Sequence, residues 1–411
     1  MAAKSRKDSK GYVLHKGESQ RCDGRYSYAF TDRQGKRHTI YAKSLLELRK
    51  KEKTFEKSIL DGVDPFAADK LTVNDMYDRY MSQKFDLKPT TKSNYIYMYD
   101  HLIRDGFGKR KLSSVKYTDI KKLYHDLVID RGIKPNTVEN IHTQLHPTFQ
   151  LAVREEVIRI NPTDGVMGEI KKSRIWEKPK RHALTIPQQK AFLNYLESNP
   201  EYAGWYPIVT ILLGTGMRIG ECLGLRWADV DFDKKLISVN HSLSDRPMGK
   251  ERKCERHIME PKTEAGTRII PMIDEVFDAF LQEYQIQKCL GFCTEEIDGY
   301  SGFVFSTSKG TLYQASAVNQ ALHRIQVSYN TEETAKAKKE KRDPVLLPEF
   351  SCHHLRHTFC TRFCENETNL KVIQDIMGHA DIQTTMDIYA EVTEEKKQEV
   401  VNSLQGKIIL K

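Results

Sequence analysis

The sequence predicts a multidomain α+β fold for this chain of 411 residues, on three observations. The first 60 residues concentrate the positive charge and carry a strand-like alternation of aromatic residues. Most of the remainder spaces its apolar residues as helices do, and β-branched or alternating segments gather only at residues 231–243, 256–260 and 267–271. The length allows three domains, each with its own core.

Residues 1–60 hold 16 Lys and Arg against 7 Asp and Glu, so the whole formal charge of +9 resides there and residues 61–411 sum to zero. A compact basic module favours a polyanion through counterion release. The bland alternative is a solubilising tail, and the strand pattern argues against it. After the Asp23–Gly24 turn signal, Tyr26, Tyr28 and Phe30 fall on one face of residues 25–31, and residues 37–42 follow the Gln34–Gly35 turn. Ser44 and Glu47 form a capping box for a helix whose Leu45, Leu48, Phe55 and Ile59 make one stripe. This defines a sheet-plus-helix domain over residues 1–62. Its aromatic face packs on the helix, and Arg21, Arg25, Arg33, Lys36, Arg37 and Lys43 lie on or beside the other face. A two- or three-stranded sheet of that kind fits the major groove of DNA.

Residues 61–69, DGVDPFAAD, have no period and read as a linker. A helical domain follows over 70–168, with helices at 73–83, 90–103, 117–130 and 135–156 and with Thr72, Thr118 and Asn136 as caps. Tyr77, Tyr80, Tyr95, Tyr99 and Tyr124 recur at helical spacing and read as core. Lys92, Lys109, Arg110, Lys111 and Lys134 are candidate backbone contacts to a nucleic acid. The basic, aperiodic stretch at 169–182 reads as a linker, either a strap across a duplex or a plain tether. A mostly helical third domain with a small sheet begins at 183, its opening helix carrying Ile186–Pro187 just inside. The charged run 331–342, TEETAKAKKEKR, shows no core stripe and reads as a solvated helix end or loop.

No apolar run of about 18 residues occurs, and MAAKSRKDSK lacks a secretory core, so a cytoplasmic protein is expected. Eight cysteines without a CxxC pair imply reduced thiols. The cluster CHHLRHTFCTRFC raises a zinc site, but such sites usually draw four ligands from two segments, and Cys360 and Cys364 read as small packed hydrophobes.

Five residues of the second half carry the chemistry: Arg218 in TGMRIGE, His353 and Arg356 in SCHHLRHTF, His379 in MGHADIQTT and Tyr389 in MDIYAEV. A guanidinium holds two non-bridging phosphate oxygens by paired hydrogen bonds, which suits Arg218 and Arg356. Glycines near Arg218 read as room for tight packing around a phosphate pocket. His353 and Arg356, three apart, project from one helix face. A tyrosine hydroxyl that attacks phosphorus splits strand exchange into two easier steps. Together these are the parts needed to cut DNA without a metal.

The strings TGMRIGE, PKTEAGTRIIP, HHLRHTF and GHADIQTTMDIY, in this order and approximate spacing, resemble the tyrosine recombinases of the phage-integrase superfamily. The amino-terminal run KGESQRCDGRYSYAFTDRQGKRHTIYAKS is similar to the arm-type DNA-binding domain of integrases from Gram-positive conjugative transposons and related phages. The resemblance implies an arm-binding domain, a core-binding domain and a catalytic domain, in that order. It implies that Tyr389 is the nucleophile, giving a 3′-phosphotyrosyl bond, with Arg218, Arg356, His353 and His379 around the phosphate. Lys262 is then the general acid on a hairpin tip, with Lys250 and Lys253 as rivals, and Glu221 orients the site. It further implies no metal or ATP, a homotetramer on double-stranded DNA with core and arm sites, an excisionase and a host DNA-bending protein. In the family the carboxy-terminal segment, here with Ile408, Ile409 and Leu410, often docks on a neighbouring subunit. The alternatives are a chromosome-dimer-resolving recombinase, which generally lacks the basic module, and a DNA-binding regulator of the same fold without strand cleavage.

Overall fold

A computed structural model describes residues 6–31, 37–60, 65–173, 176, 183–245, 247–248, 253–261, 264–367 and 369–390. The chain forms two compact units, residues 1–178 and 179–411. The fold is α+β, with helices dominant and small antiparallel sheets.

The first unit holds two separate apolar cores. In one, β1 (Glu18–Gln20), β2 (Tyr26–Thr31) and β3 (Arg37–Ala42) make an antiparallel sheet in which Tyr26 faces Ala42 and Thr31 faces Arg37. Strand alternation puts Tyr26 and Tyr28 on the face that packs against Leu45 and Leu48 of α1 (Leu45–Leu60), and the Phe30 ring lies 4.1 Å from that of Phe55. Ser44 caps the helix by accepting from the Glu47 amide at 3.2 Å.

The linker expected at 61–69 is replaced in part by a helix, α2 (Pro65–Lys70). Proline at the first helical position is already held at a helical φ, so a helix starts here in a stretch without an apolar period. The second core is built from α3 (Val73–Ser82), α4 (Pro89–Tyr99), α5 (Tyr117–Ile129), α6 (Pro135–Arg154) and α7 (Val166–Lys171). Tyr77 stacks on Tyr99 with ring centroids 3.4 Å apart, and the Tyr77 hydroxyl donates to Gln144 Oε1 at 3.1 Å. Those tyrosines are core, as their spacing predicts. Thr72 caps α3 through a reciprocal box with Asp75. Thr118 and Asn136 cap nothing: α5 and α6 begin one residue before each, and in α5 Asp119 reaches back to the Lys116 amide at 2.9 Å. Ile170 of α7 is buried in this core, so ordered helix continues three residues into the span expected as linker from 169.

The second unit opens with α8 (Ile186–Ser198), boxed by Thr185 and Gln188, and continues through α9 (Tyr206–Thr215) and the short α10 (Ile219–Gly224). Among the described residues the β segments form three pieces where one small sheet was expected. One sheet has the order β10 (Arg268–Pro271), β5 (Leu236–Val239), β4 (Val230–Asp231). A ribbon pairs β6 (Ser242–Ser244) with β9 (His257–Met259), and β7 (Pro247–Met248) pairs with β8 (Lys253–Cys254). α11 (Asp274–Leu290), α12 (Ala315–Glu340), α13 (Cys352–Asn366), α14 (Leu370–Met377) and α15 (Ile382–Ala390) complete the unit.

Residues 331–340 of the charged run are the last part of the 26-residue α12, and the run is not wholly solvated. Ala337 and Glu333 are buried, because Arg342 turns back beyond the helix end and pairs with Glu333. Among the described residues no helix is long and apolar enough to cross a membrane. All eight cysteines are free. Cys360 and Cys364 pack with Ile373 and Met377, as small hydrophobes do.

Candidate active site

The site is assembled at the carboxyl end of α14. Helix ends leave carbonyl oxygens without partners inside the helix and gather partial negative charge there. Here three consecutive carbonyls each accept from a different arginine. Ile376 O takes Arg268 Nε at 2.7 Å, Met377 O takes an Arg356 terminal nitrogen at 2.6 Å, and Gly378 O takes an Arg218 terminal nitrogen at 3.1 Å. His379 comes next in the chain.

Arg218 precedes α10, and Glu221 stands three residues on, where a carboxylate at a helix start reaches back to the amide before it. The Glu221 carboxylate accepts the Arg218 amide at 2.9 Å and its guanidinium at 2.7 Å, and it also accepts Arg268 at 2.8 Å. Burial by itself raises the carboxyl pKa of Glu221, but Arg268 and then Arg218 outweigh it and hold the group below its ordinary value. The buried acid is therefore ionised and joins two cations. Arg218 keeps 45% of its side-chain surface exposed, which leaves donors open to solvent.

Arg356 sits at the other side of the same helix end. It is 4% exposed and also donates to Gly216 O at 2.6 Å, the carbonyl just past α9. Burial and the neighbouring Arg218 push its guanidinium down to about 9, with Glu221 opposing. His353, one turn earlier on α13, is exposed. His379 is buried, and its Nδ1 lies 3.0 Å from the Thr385 hydroxyl. Burial pushes its pKa down to about 4, with Arg356, Arg218, Arg268 and His353 adding to the effect. The ring is thus neutral near pH 7. When Thr385 donates to Nδ1, the proton rests on Nε2, which then serves as a donor.

α15 follows through Asp381, whose carboxylate accepts the Gln383 amide at 2.9 Å, as expected of a cap. Ile388 packs against the Cys360–Met377 cluster and Thr385 is fully buried. Tyr389 lies on α15 one turn after Thr385, so its backbone position continues the face that holds His379. Its side chain lies outside the described residues, and so does Lys262.

The structure thus gathers Arg218, Glu221, Arg356 and His379. Neither Arg268 nor Thr385 is among the residues expected from the sequence to form the site. In β10 Arg268 shares the inward face with Ile270 and leaves Ile269 outward. Gly216 allows tight packing at the site, against Phe359 and Met377, whereas Gly220 serves elsewhere. A Cβ on Gly220 would lie 2.7 Å from Leu243 O, so that glycine lets α10 pack on β6.

In the basic module, Arg21, Arg25, Arg37 and Lys43 are exposed, and Arg33 and Lys36 lie outside the described residues. Asp23 pairs with Arg25 at 2.6 Å and with Arg21 at 3.7 Å, and Arg21 lies over the Tyr41 ring. Tyr41 and Arg37 share the outer face of β3.

Residues 182–396 match the model of the phage integrase family, and residues 2–59 match the DNA-binding domain of the Tn916 integrase. The chain belongs to the phage integrase family. It is 31% identical to the transposase of transposon Tn916 from Enterococcus faecalis, over 95% of this chain and 94% of that one. The transposase of Tn1545 from Streptococcus pneumoniae gives the same figures. Among solved structures, the Tn1549 integrase in complex with transposon right end DNA covers 82% of this integrase and 100% of its own chain, at TM-score 0.70 and 30% identity. This integrase is therefore a tyrosine recombinase of the class that cuts and rejoins DNA strands.

Proposed function

We propose that this tyrosine recombinase integrates and excises a mobile element through Tyr389. The observation that carries the reading is the set of three arginines and one histidine at the end of α14, balanced by the single carboxylate of Glu221. Three guanidiniums against one carboxylate leave an excess of positive charge, which suits a phosphorus centre that gains negative charge as it becomes pentavalent.

In the proposed reaction the Tyr389 oxygen attacks the phosphorus and the bond to the 5′-oxygen breaks. His353 accepts the tyrosine proton, and Lys262 donates one to the departing oxygen. The 3′-phosphotyrosyl bond retains the energy of the phosphodiester, so the 5′-hydroxyl of a partner strand reverses the step without ATP. Arg218 and Arg356 hold the non-bridging oxygens and His379 donates from Nε2. Two duplexes have four strands to cut, which calls for four protomers. An arm-binding domain at 1–62, a core-binding domain at 70–168, a linker at 169–182 and a catalytic domain from 183 are the proposed division. The sheet of the first domain would take the arm sites, with Tyr41 and Arg37 on its outer face. An excisionase and a host DNA-bending protein would set direction, and a cytoplasmic location follows from the chromosomal substrate.

The test is a nicked duplex bearing the end sequence of the element, which loses a short fragment on cleavage and traps the covalent complex. The wild-type chain is expected to form the adduct and Tyr389→Phe is not. No adduct from the wild type would favour a DNA-binding regulator.

A further inference from the structure

Arg268 is 9% exposed, and its three guanidinium nitrogens each have an acceptor on a different segment. Nε donates to Ile376 O at 2.7 Å, one terminal nitrogen to Glu221 at 2.8 Å, and the other to Gly266 O at 3.3 Å. The first acceptor lies three residues before His379 and the second is the acid that grips Arg218. The third belongs to the turn at Glu264–Gly266, just after the segment that contains Lys262.

We propose that Arg268 is a positioning residue for strand cleavage, acting through Glu221 on Arg218, while its bonds to the Ile376 and Gly266 carbonyls hold the guanidinium in place. This inference rests on the recombinase reading given above. A carboxylate held from two sides has one orientation, whereas Glu221 with Arg218 alone would be free to turn toward solvent with it. Arginine is needed because its planar fork presents donors in three in-plane directions, and a lysine ammonium cannot serve acceptors so arranged with the same geometry. A displacement of about 1 Å at a reacting group costs roughly 100-fold in rate, so small losses of alignment here are measurable.

Single-turnover cleavage of the same nicked duplex by the full-length chain decides the matter. Arg268→Lys is expected to lower the cleavage rate constant by about 10- to 100-fold, with Kd for the duplex changed by less than about threefold. If the arginine acts through Glu221, the two substitutions share one effect. Adding Arg268→Lys to Glu221→Gln then costs less than about threefold more. A general loss of core packing predicts instead that the two penalties multiply. Should the lysine variant fail to fold, Arg268→Gln repeats the cycle. Cleavage within about twofold of wild type, a parallel rise in Kd, or multiplied penalties would overturn the inference. If the wild-type chain itself gives no adduct, the recombinase reading fails, and the role of Arg268 fails with it.

Discussion

His379 Nδ1 and the Thr385 hydroxyl are 3.0 Å apart, and both residues are buried. The pair joins the end of α14 to α15, so the ring that faces the arginines is oriented by the helix that carries Tyr389. Thr385→Val keeps the side-chain shape and removes the hydrogen bond. Nδ1 then competes for the proton, and a share of the rings loses the Nε2 donor. One hydrogen bond contributes about 0.5–1.5 kcal/mol, so cleavage of the nicked duplex should fall by about 2- to 13-fold with DNA affinity unchanged. Wild-type rates in the valine variant would show that the tautomer is fixed by something else.

Arg356→Lys tests the buried arginine. A lysine cannot reach both Gly216 O and Met377 O in the geometry seen for the guanidinium, and one buried carbonyl is left without a donor. Chemical denaturation should show a loss of about 1–3 kcal/mol. Adduct formation should drop by at least about 100-fold, the usual effect of losing a charge-stabilising donor. A stable lysine variant that cleaves within tenfold of wild type would remove Arg356 from the proposed phosphate cradle.

Gly378 has a φ of 63° as the residue after α14, and a Cβ there would meet Ala265 O at 2.9 Å and an Arg268 terminal nitrogen at 3.0 Å. Gly378→Ala therefore combines backbone strain with a clash. The expected cost is on the order of 1–3 kcal/mol, read as a lower Tm, together with slower cleavage because His379 is the next residue. An alanine variant as stable as wild type would mean that the α14 end relaxes freely.

Glu283 on α11 is buried and accepts from Gln287 at 3.0 Å. Burial raises its pKa to about 7, with the Gln287 hydrogen bond opposing. Between the ordinary carboxyl value near 4.5 and about 7 the unfolded chain ionises this group while the folded chain keeps it protonated. Its contribution to stability is therefore fully present below about 4.5 and is lost as the pH rises toward 7. Glu283→Gln removes that loss and keeps the acceptor. Urea denaturation should show no gain at pH 4 and a gain on the order of 1–3 kcal/mol at pH 8. A gain that does not depend on pH would contradict the raised value.

The helices were legible where a cap and an apolar stripe agreed, as with Thr72 before α3 and Thr185 before α8. Arg218, Arg356 and His379, which the structure brings together, were legible because each sits in a short motif. Three kinds of fact were hidden. A two- to four-residue strand such as β4 or β10 is too short to show a period, so one sheet was read where, among the described residues, three pieces form. A buried arginine looks the same in sequence as an exposed one until its acceptors are known, and two of the three of Arg268 lie 47 and 108 positions away. The carbonyl oxygens that gather the arginines belong to the backbone, which every residue shares, so no side-chain pattern announces them.

The three guanidiniums at the end of α14 also bear on how tightly DNA is held. An arginine loses about 2 kcal/mol of rotamer freedom when it is fixed. In Arg218, Arg268 and Arg356 backbone oxygens have already fixed the side chains before any duplex arrives. That entropy is spent on folding, so less of the attraction between this pocket and a phosphate is lost to ordering, and more remains to deform the phosphate toward its reactive shape.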